Sequence, residues 1–369
     1  MPVAITLSLY VARVFSFAMM SMLAALTALV ELFDFIELLR RSATRPEATF
    51  GRVSEIAALH APWNAMQILP FAVLLGGIMA FWRLTRSSEL IVARAAGVSA
   101  WQFLAAPVAC AIALGAFATA AISPLSAAMR AGAEAMDNTY LKGSSAPLLT
   151  GGQLWLRQAD PVLSPRGVAI LHATGVELKS GVLNASGVSV FRLGPDDHLL
   201  QRIEASRAVL GDGAWVLDNA RSITPGHQPE QPRQVDLSTN MTVERVQQSF
   251  AAPDTFSVWA LPGFIRLLDR SGFSSIRHRL EFQTLLALPL LAGTMALLSA
   301  GFSMRATRRG GVGVMIGSGV AAGFLLFMTT KIAEEFGQSG ALPPVLAAWA
   351  PAAAGLLLSV ALLLHLEDG

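Results

Sequence analysis

Six long stretches of the chain carry no charged residue, and this feature constrains the fold more than any other. Only 14% of all residues are charged, whereas soluble domains carry about a quarter. A helix that crosses a bilayer needs roughly 20 mostly apolar residues. The stretches therefore predict six transmembrane helices. They are expected at residues 10–33, 60–83, 98–122, 282–304, 310–331 and 343–365.

The charges that flank these helices predict their orientation. Basic residues outnumber acidic residues in the loops after the second and fourth helices, but not in those after the first and fifth. Short loops rich in Lys and Arg remain in the cytoplasm. Both termini are therefore expected in the cytoplasm. The first helix is expected to be retained, because no basic region precedes it and no convincing cleavage site follows it.

The segment between the third and fourth helices has short runs that often alternate between apolar and polar residues. Val176 and Leu178 would face one side of a strand and Glu177 the other. The pair Asp212-Gly213 between two apolar runs is a hairpin signal. Several short strands at such spacing predict an antiparallel β-jelly-roll or sandwich at residues 140–252, on the far side of the membrane.

These patterns predict an α + β membrane protein with a 3 + 3 arrangement of helices around an inserted β domain. Residues 1–130 would hold transmembrane helices 1–3, and residues 140–252 the β domain. Residues 253–369 would hold a short amphipathic connecting helix and transmembrane helices 4–6.

No catalytic or metal-binding motif is recognisable. The sequence has no G-x-x-x-x-G-K-[ST] loop, no H-E-x-x-H pair, no cysteine cluster and no G-x-S-x-G elbow. Its six histidines show no metal spacing. We therefore expect no catalytic residue, no metal and no bound cofactor, so that a partner would supply the energy for any driven process.

The loop between the second and third helices predicts a short amphipathic helix at about residues 87–96. Ser87 or Ser88 can cap it, Glu89 lies in its first turn, and Gly97 is a natural terminator. Leu90 would share one face with Arg94. A helix this short is not stable alone, so it would dock into a groove of a partner or, alternatively, lie on the lipid surface.

The loop segment "RSSELIVARAAGVS" closely resembles the cytoplasmic loop of the lipopolysaccharide export permeases, the LptF/LptG (YjgP/YjgQ) family. The resemblance covers nearly the whole chain and includes "LFDFIELLRR" at the end of helix 1 and "QLWLR" at the entrance of the β domain. The start of the loop segment resembles the LptG branch more than the LptF branch.

The resemblance implies a subunit of an exporter in the bacterial inner membrane, with its jelly roll in the periplasm. Its partners would be an LptF-like second permease subunit, two LptB-like ATPases that use ATP, and LptC-like and LptA-like periplasmic proteins. Lipopolysaccharide would be the cargo, and no nucleic acid is implied. The residues expected to couple to the ATPase are Ser88, Glu89, Leu90, Arg94 and Gly97.

The phosphates of a lipopolysaccharide headgroup favour basic residues at the outer interface. Arg40, Arg41 and Arg130 are the candidates, although ordinary snorkelling would also explain them. Glu31 and Asp34 depart from the family, which often has a basic residue near the first of these positions. The acids would repel phosphate unless paired, and Glu31 is expected to pair with the partner subunit.

Helix 5 is rich in glycine, and in the family this helix meets helix 1 of the partner subunit at a lateral gate. Small residues allow close approach of helices, in a gate or in static packing within one bundle. The gate candidates are Gly313, Gly317, Gly319 and Gly323. In the jelly roll, the residues expected to line a groove for acyl chains are Val176, Leu178, Val188 and Val190.

Two other classes of protein remain open. A membrane-anchored periplasmic sensor would need a cytoplasmic output domain, and the cytoplasmic loops are too short to hold one. A secondary transporter would need ionisable residues in the middle of the membrane, and the apolar cores of the six predicted helices lack them.

Overall fold

A computed structural model describes most of the chain. The described residues are 2–43, 49–89, 92–93, 97–137, 140, 148–150, 153–160, 167–179, 182–194, 198–211, 213–239, 241–243, 246, 252–270, 273–303 and 312–367. The helices are α1 Pro2–Ser42, α2 Phe50–Arg86, α3 Ala100–Phe117, α4 Ser123–Met136, α5 Leu261–Arg270, α6 Ile276–Ser303, α7 Val312–Gln338 and α8 Pro344–Glu367. The strands are β1 Leu148–Thr150, β2 Gln153–Ala159, β3 Val168–Lys179, β4 Val182–Leu193, β5 Leu199–Leu210, β6 Ala214–Ile223 and β7 Arg233–Ser238.

Five helices within the described residues are long and apolar enough to cross a membrane. They are α2, the continuous helix formed by α3 and α4, and helices α6, α7 and α8. These five correspond to the second to sixth helices predicted from the sequence. The first predicted span, residues 10–33, lies inside the 41-residue helix α1, which is not among the five. Its crossing of the membrane stays a prediction.

The third predicted helix is longer than expected, because it continues beyond residue 122 to Met136. A π-helical turn, Ala118–Ile122, joins α3 to α4. Proline lies at the start of α4, where its missing N–H group disrupts little. Within this turn, Oγ1 of Thr119 donates to the carbonyl of Leu285 over 2.7 Å.

Helix α6 is central in the helical part of the chain, where it packs against α2, α3, α7 and α8. Small residues permit the close approach. A Cβ atom on Gly77 of α2 would lie 2.2 Å from Oγ of Ser299, and one on Gly115 of α3 would lie 2.7 Å from Cα of Pro289. Larger residues at these two glycines would separate the helices.

The predicted antiparallel β domain is confirmed as one seven-stranded sheet in which the strands pair in chain order. The predicted hairpin joins β5 to β6, with Gly213 at a φ of 79° and the N–H of Gly211 donating to Ala214 over 2.9 Å. Apolar side chains from β2 to β7 form a single buried cluster. The inner face of the sheet is therefore wrapped around one core.

In each of the strands β3 to β6, the alternation between core-facing and outward-facing residues is interrupted once. The four interruptions lie side by side and form a line across the strands. At this line, which we call the crease, each strand has two consecutive residues outside the core: 174–175, 186–187, 206–207 and 218–219. Gly187 and Asn219 have φ values of 61° and 54°, and Oγ1 of Thr174 donates to the carbonyl of Ser186 over 3.0 Å. The interruption lets both halves of each strand direct apolar residues into the same core.

The chain divides into two compact units. One comprises residues 1–141, 254–262 and 276–369, and the other residues 142–253 and 263–275. Most of the predicted connecting helix, now α5, thus belongs with the β domain. The reason is its apolar face: Leu268 and the following Phe273 are buried in the core of the β domain, and Phe264 packs against it.

Candidate functional site

The predicted coupling segment follows α2 directly. Helix α2 continues to Arg86, and Ser87 caps its C-terminal end. The N–H of Val92 donates to the carbonyl of Ser88 over 3.1 Å, which is the spacing of an α-helical bond. A new turn therefore starts at Ser88, whose φ is 61°.

Gly97 lies at the other end of this segment. The N–H of Val98 donates to the carbonyl of Ala93 over 3.1 Å, and Gly97 between them has a φ of 81°. Glycine adopts this conformation without the steric cost of a side chain. The predicted coupling residues Leu90 and Arg94 lie outside the described residues.

Glu89 does not project freely from the coupling segment. Its Oε1 atom accepts hydrogen bonds from Oγ of Ser87 over 2.8 Å and from Oη of Tyr10 over 3.3 Å. Tyr10 belongs to α1, so Glu89 connects the loop to that helix. A carboxylate accepts about four hydrogen bonds, and these two neutral donors leave room for a basic group of a partner.

The two unexpected acids of α1 have partners on α2 of the same chain. Oε1 of Glu31 accepts a hydrogen bond from Nδ2 of Asn64 over 2.8 Å. Oδ2 of Asp34 lies 2.7 Å from Nδ1 of His60. Both acids therefore join α1 to α2 within the chain, and the pairing of Glu31 with a basic group of the partner subunit stays a prediction. Polar residues at facing positions of two packed helices satisfy each other in this way.

The basic residues at the end of α1 share one carboxylate. Glu37 lies 2.9 Å from Nε of Arg40 and 2.9 Å from Nε of Arg41, so the predicted pairing of Glu37 with Arg41 is confirmed. Hydrogen bonds from Arg40 and from Arg41 lower the pKa of the Glu37 carboxyl to about 2. The three side chains together carry one positive charge, and the arginines are 78% and 57% exposed.

Arg130 has a different environment from the arginines of α1. Its Nε atom lies 2.9 Å from Oδ2 of Asp254, and the two side chains are only 25% and 17% exposed. The pair joins α4 to the short 3-10 turn Pro253–Thr255. The charge of Arg130 is therefore already compensated within the chain.

The four glycines proposed for the gate divide into two environments on α7. A Cβ atom on Gly323 would lie 2.0 Å from Cδ2 of Leu74, and one on Gly319 would lie 3.1 Å from Cδ1 of Ile78. Both glycines thus pack on α2 of the same chain. At Gly313 and Gly317 no atom of the described residues lies within 4 Å of the added carbon, so only these two leave space for another helix.

The four residues proposed for the groove share the inner side of the sheet. Val176, Val188 and Val190 are buried in its core, and Leu178 packs against them. Glu177 is exposed and forms an ion pair with a neighbouring lysine on the outer side. The predicted division of β3 into two faces is confirmed.

Three residues of α1 and α2 that form hydrogen bonds with the candidate residues were not singled out from the sequence: Tyr10, His60 and Asn64. Each lies in a predicted helix, but nothing in the sequence says which helical faces meet. One signal was available for the α1–α2 pairs. The separations from Glu31 to Asp34 and from His60 to Asn64 are three and four residues, the spacings that place side chains on one helical face.

Together, the fold and these contacts define a class of protein: a helical membrane protein with an antiparallel β domain inserted between two sets of helices. The chain belongs to the family of the lipopolysaccharide export system permease LptF/LptG, whose sequence profile it matches over residues 9–365.

Curated relatives cover nearly the full chain. It is 23% identical over 367 residues to the lipopolysaccharide export system permease protein LptG of Escherichia coli strain K12, which covers 96% of this chain and 97% of that protein. It is 22% identical over 358 residues to the protein of the same name from Haemophilus influenzae strain Rd, which covers 94% of each chain. These relatives are permease subunits, and the family and helices indicate an inner-membrane protein.

Proposed function

We propose that this chain is the LptG-type permease subunit of an ABC-type exporter that extracts lipopolysaccharide from the inner membrane. The observation that carries the proposal is the family match over residues 9–365, which includes both sets of membrane helices and the whole β domain. Both termini would lie in the cytoplasm and the β domain in the periplasm, as the basic loops favour.

An LptF-like subunit would complete the permease, and two LptB-like ATPases would dock on the cytoplasmic loops. The coupling segment supports this arrangement because it is too short to be stable alone. The hydrogen bond between Glu89 and Tyr10 would transmit motion of the coupling segment to α1. An ATPase that displaces the segment would also pull on α1, the helix that faces the partner subunit in this proposal.

Arg40 and Arg41 are the best candidates for contact with the phosphates of the lipopolysaccharide. Both are exposed, and Glu37 neutralises only one of their two charges. Arg130 is a weaker candidate because Asp254 already pairs with it. Glu31 and Asp34 would hold α1 against α2 rather than contact the headgroup.

The acyl chains would pass along the inner face of the β domain toward the LptC-like and LptA-like proteins. Val176, Val188 and Val190 are candidates for this route because they form part of one apolar surface. Since these residues are buried, the two halves of the sheet would have to hinge apart at the crease to admit an acyl chain.

Reconstitution tests the proposal directly. The chain is co-purified with its LptF-like and LptB-like partners, inserted into proteoliposomes that contain lipopolysaccharide, and assayed for ATP-dependent transfer to an LptA-like acceptor. Glu89→Lys should greatly reduce co-purification of the ATPase, whereas Glu335→Lys, at an exposed position at the other end of the bundle, should not. ATP-independent transfer, or full ATPase binding by Glu89→Lys, would contradict the proposal.

A further inference from the structure

A small cavity opens between α2, α6, α7 and α8, at the end of these helices at which the chain passes to the β domain. Its volume is about 50 Å³. The walls are mainly apolar and include Trp63, Met66, Pro70, Leu288 and Phe327. None of the functional residues described above lines it.

Charged groups line one part of this cavity. Nζ of Lys331 donates to Oε1 of Gln67 over 3.0 Å and to Oε2 of Glu334 over 2.8 Å. Glu281 lies in the same wall, and its Oε1 atom is buried without a hydrogen-bond partner among the described residues. The wall therefore holds two carboxylates and one ammonium group, and one carboxylate oxygen is unsatisfied.

A carboxylate oxygen in such a place needs a donor, because a buried polar group without a hydrogen bond is strongly disfavoured. Lys331 already binds two other acceptors. A buried carboxyl group can hold a negative charge only beside a cation, so a cation is the favoured occupant. A cation that enters from the bilayer must also have an apolar part that suits the remaining walls.

We propose that this cavity binds the primary ammonium group of an aminophospholipid, with phosphatidylethanolamine as the simplest case. The ammonium N–H groups would donate to Oε1 of Glu281, and the two methylene groups of the headgroup would contact the apolar walls. A cavity that holds one water has a volume of roughly 10–15 Å³. A cavity of about 50 Å³ therefore accommodates the ammonium group and the two methylene groups, each of which is about as large as a water molecule. The phosphate would remain at the mouth near Lys331, and the acyl chains would remain in the bilayer.

The chemistry of the cavity disfavours other membrane lipids. A phosphoglycerol headgroup brings a negative charge and hydroxyl groups, but no cation to pair with the buried Glu281. A choline headgroup has a positive charge but no N–H donor for Glu281. The phosphorylated sugars of a lipopolysaccharide are too large for a space of about 50 Å³. The proposal is independent of export, since it concerns an ordinary membrane phospholipid.

Native mass spectrometry of the detergent-purified full-length chain tests the site. The protein is delipidated and incubated with an equimolar mixture of phosphatidylethanolamine, phosphatidylglycerol and phosphatidylcholine. The wild type should retain one phosphatidylethanolamine in clear preference to the other two lipids. Glu281→Gln should reduce this retention about tenfold or more, because it removes the negative charge that pairs with the ammonium group and leaves only a weaker, neutral acceptor. Glu335→Gln, an exposed carboxylate on α7 outside the cavity, should retain the lipid fully.

A second variant separates loss of the site from loss of the fold. Thr284→Phe places a ring in the cavity and should abolish retention, while gel filtration and thermal unfolding check that the variant is folded. A parallel incubation with lipopolysaccharide tests whether the cavity binds the headgroup of that lipid instead. Equal retention of all three phospholipids, unchanged retention by Glu281→Gln, or retention of lipopolysaccharide that depends on Glu281 would each overturn the proposal.

Discussion

At the scale of single residues, the charge presented by the end of α1 depends on Glu37. Its pKa is lowered from 4.5 to about 2 by Arg40 and Arg41. A carboxyl whose pKa is lowered on folding stabilises the fold above its unfolded pKa, here about 4.5, and this contribution is lost as the pH falls through about 2. The ion pairs are thus complete at every physiological pH, and the site has a net charge of one.

Glu37→Gln should increase the affinity for lipopolysaccharide, because it leaves two uncompensated arginine charges where the wild type has one. We expect a gain of about threefold to tenfold at low salt, which decreases at high salt as exposed charges are screened. Titration of the purified complex with lipopolysaccharide measures it. Glu55→Gln removes an exposed carboxylate from α2 and serves as the control. An equal gain in both variants, or none in either, would show that Arg40 and Arg41 do not contact phosphate.

Tyr10 provides a second test at this scale, because its hydroxyl is the described contact between α1 and Glu89. Tyr10→Phe should leave binding of the ATPase unchanged and reduce lipopolysaccharide transfer per ATP hydrolysed by about threefold to tenfold, the value of one ordinary hydrogen bond, since this contact is exposed and 3.3 Å long. Transfer and hydrolysis are measured together in proteoliposomes. Tyr140→Phe is the matched control, since Tyr140 contacts Arg52 through its ring. Unchanged coupling by Tyr10→Phe would exclude this contact from the transmission of motion.

At the scale of secondary structure, the crease makes one glycine of β4 difficult to replace. Gly187 has a φ of 61°, and a Cβ atom there would lie 2.2 Å from Oγ1 of Thr174. Gly187→Ala should therefore destabilise the β domain by about 2–3 kcal/mol, which combines backbone strain with a steric conflict. Gly213→Ala should cost only about 1 kcal/mol, because its φ is 79° but no described atom lies within 4 Å. Hydrogen exchange of the amides in β3–β6 distinguishes the two variants. Similar protection in Gly187→Ala and Gly213→Ala would mean that the crease tolerates a side chain.

The glycines of α7 are expected to respond differently to substitution. Gly323→Leu should destabilise the chain itself by about 1–3 kcal/mol, because even a Cβ atom there would lie 2.0 Å from buried Leu74. Gly317→Leu should leave the thermal stability of the isolated chain nearly unchanged and weaken assembly with the LptF-like subunit. Thermal unfolding and co-purification measure the two effects. If Gly317→Leu assembles normally, this face of α7 does not meet a partner helix.

The sequence was informative about elements and less informative about contacts between them. Membrane spans follow from local hydropathy, so five of the predicted helices were recovered with shifted ends. The continuation of the third predicted helix to Met136 was not predicted, because a π turn has no clear signal in the local sequence. The crease did leave a signal, since pairs such as Thr174-Gly175 and Ser186-Gly187 interrupt the alternation of their strands. The partners of Glu31 and Asp34 could not be predicted, because they depend on which faces of α1 and α2 pack together.

At the scale of the whole molecule, one consequence of the proposed function is a lateral entrance between α7 and helix 1 of the LptF-like subunit. Two surfaces of this chain are suited to such contacts. Gly317 faces no described atom within 4 Å, and α1 exposes large apolar side chains such as Phe17, which is 73% exposed. Lipid competes equally well for apolar surface, so a seam between these helices is held mainly by close packing of small residues. In the proposed function, such a seam would open when the partner ATPase hydrolyses ATP.

A disulfide across this seam should therefore stop transport reversibly. The half-buried native cysteine is first removed by Cys110→Ala, and Gly317→Cys is combined with a cysteine on helix 1 of the partner subunit. Oxidation should abolish ATP-dependent transfer of lipopolysaccharide, and reduction should restore it. Gly319→Cys is the matched control, because this position faces Ile78 of the same chain, with a closest Cβ distance of 3.1 Å, and should form little crosslink. If the Gly317 crosslink forms completely and transfer continues at the normal rate, the lipid does not enter between these helices.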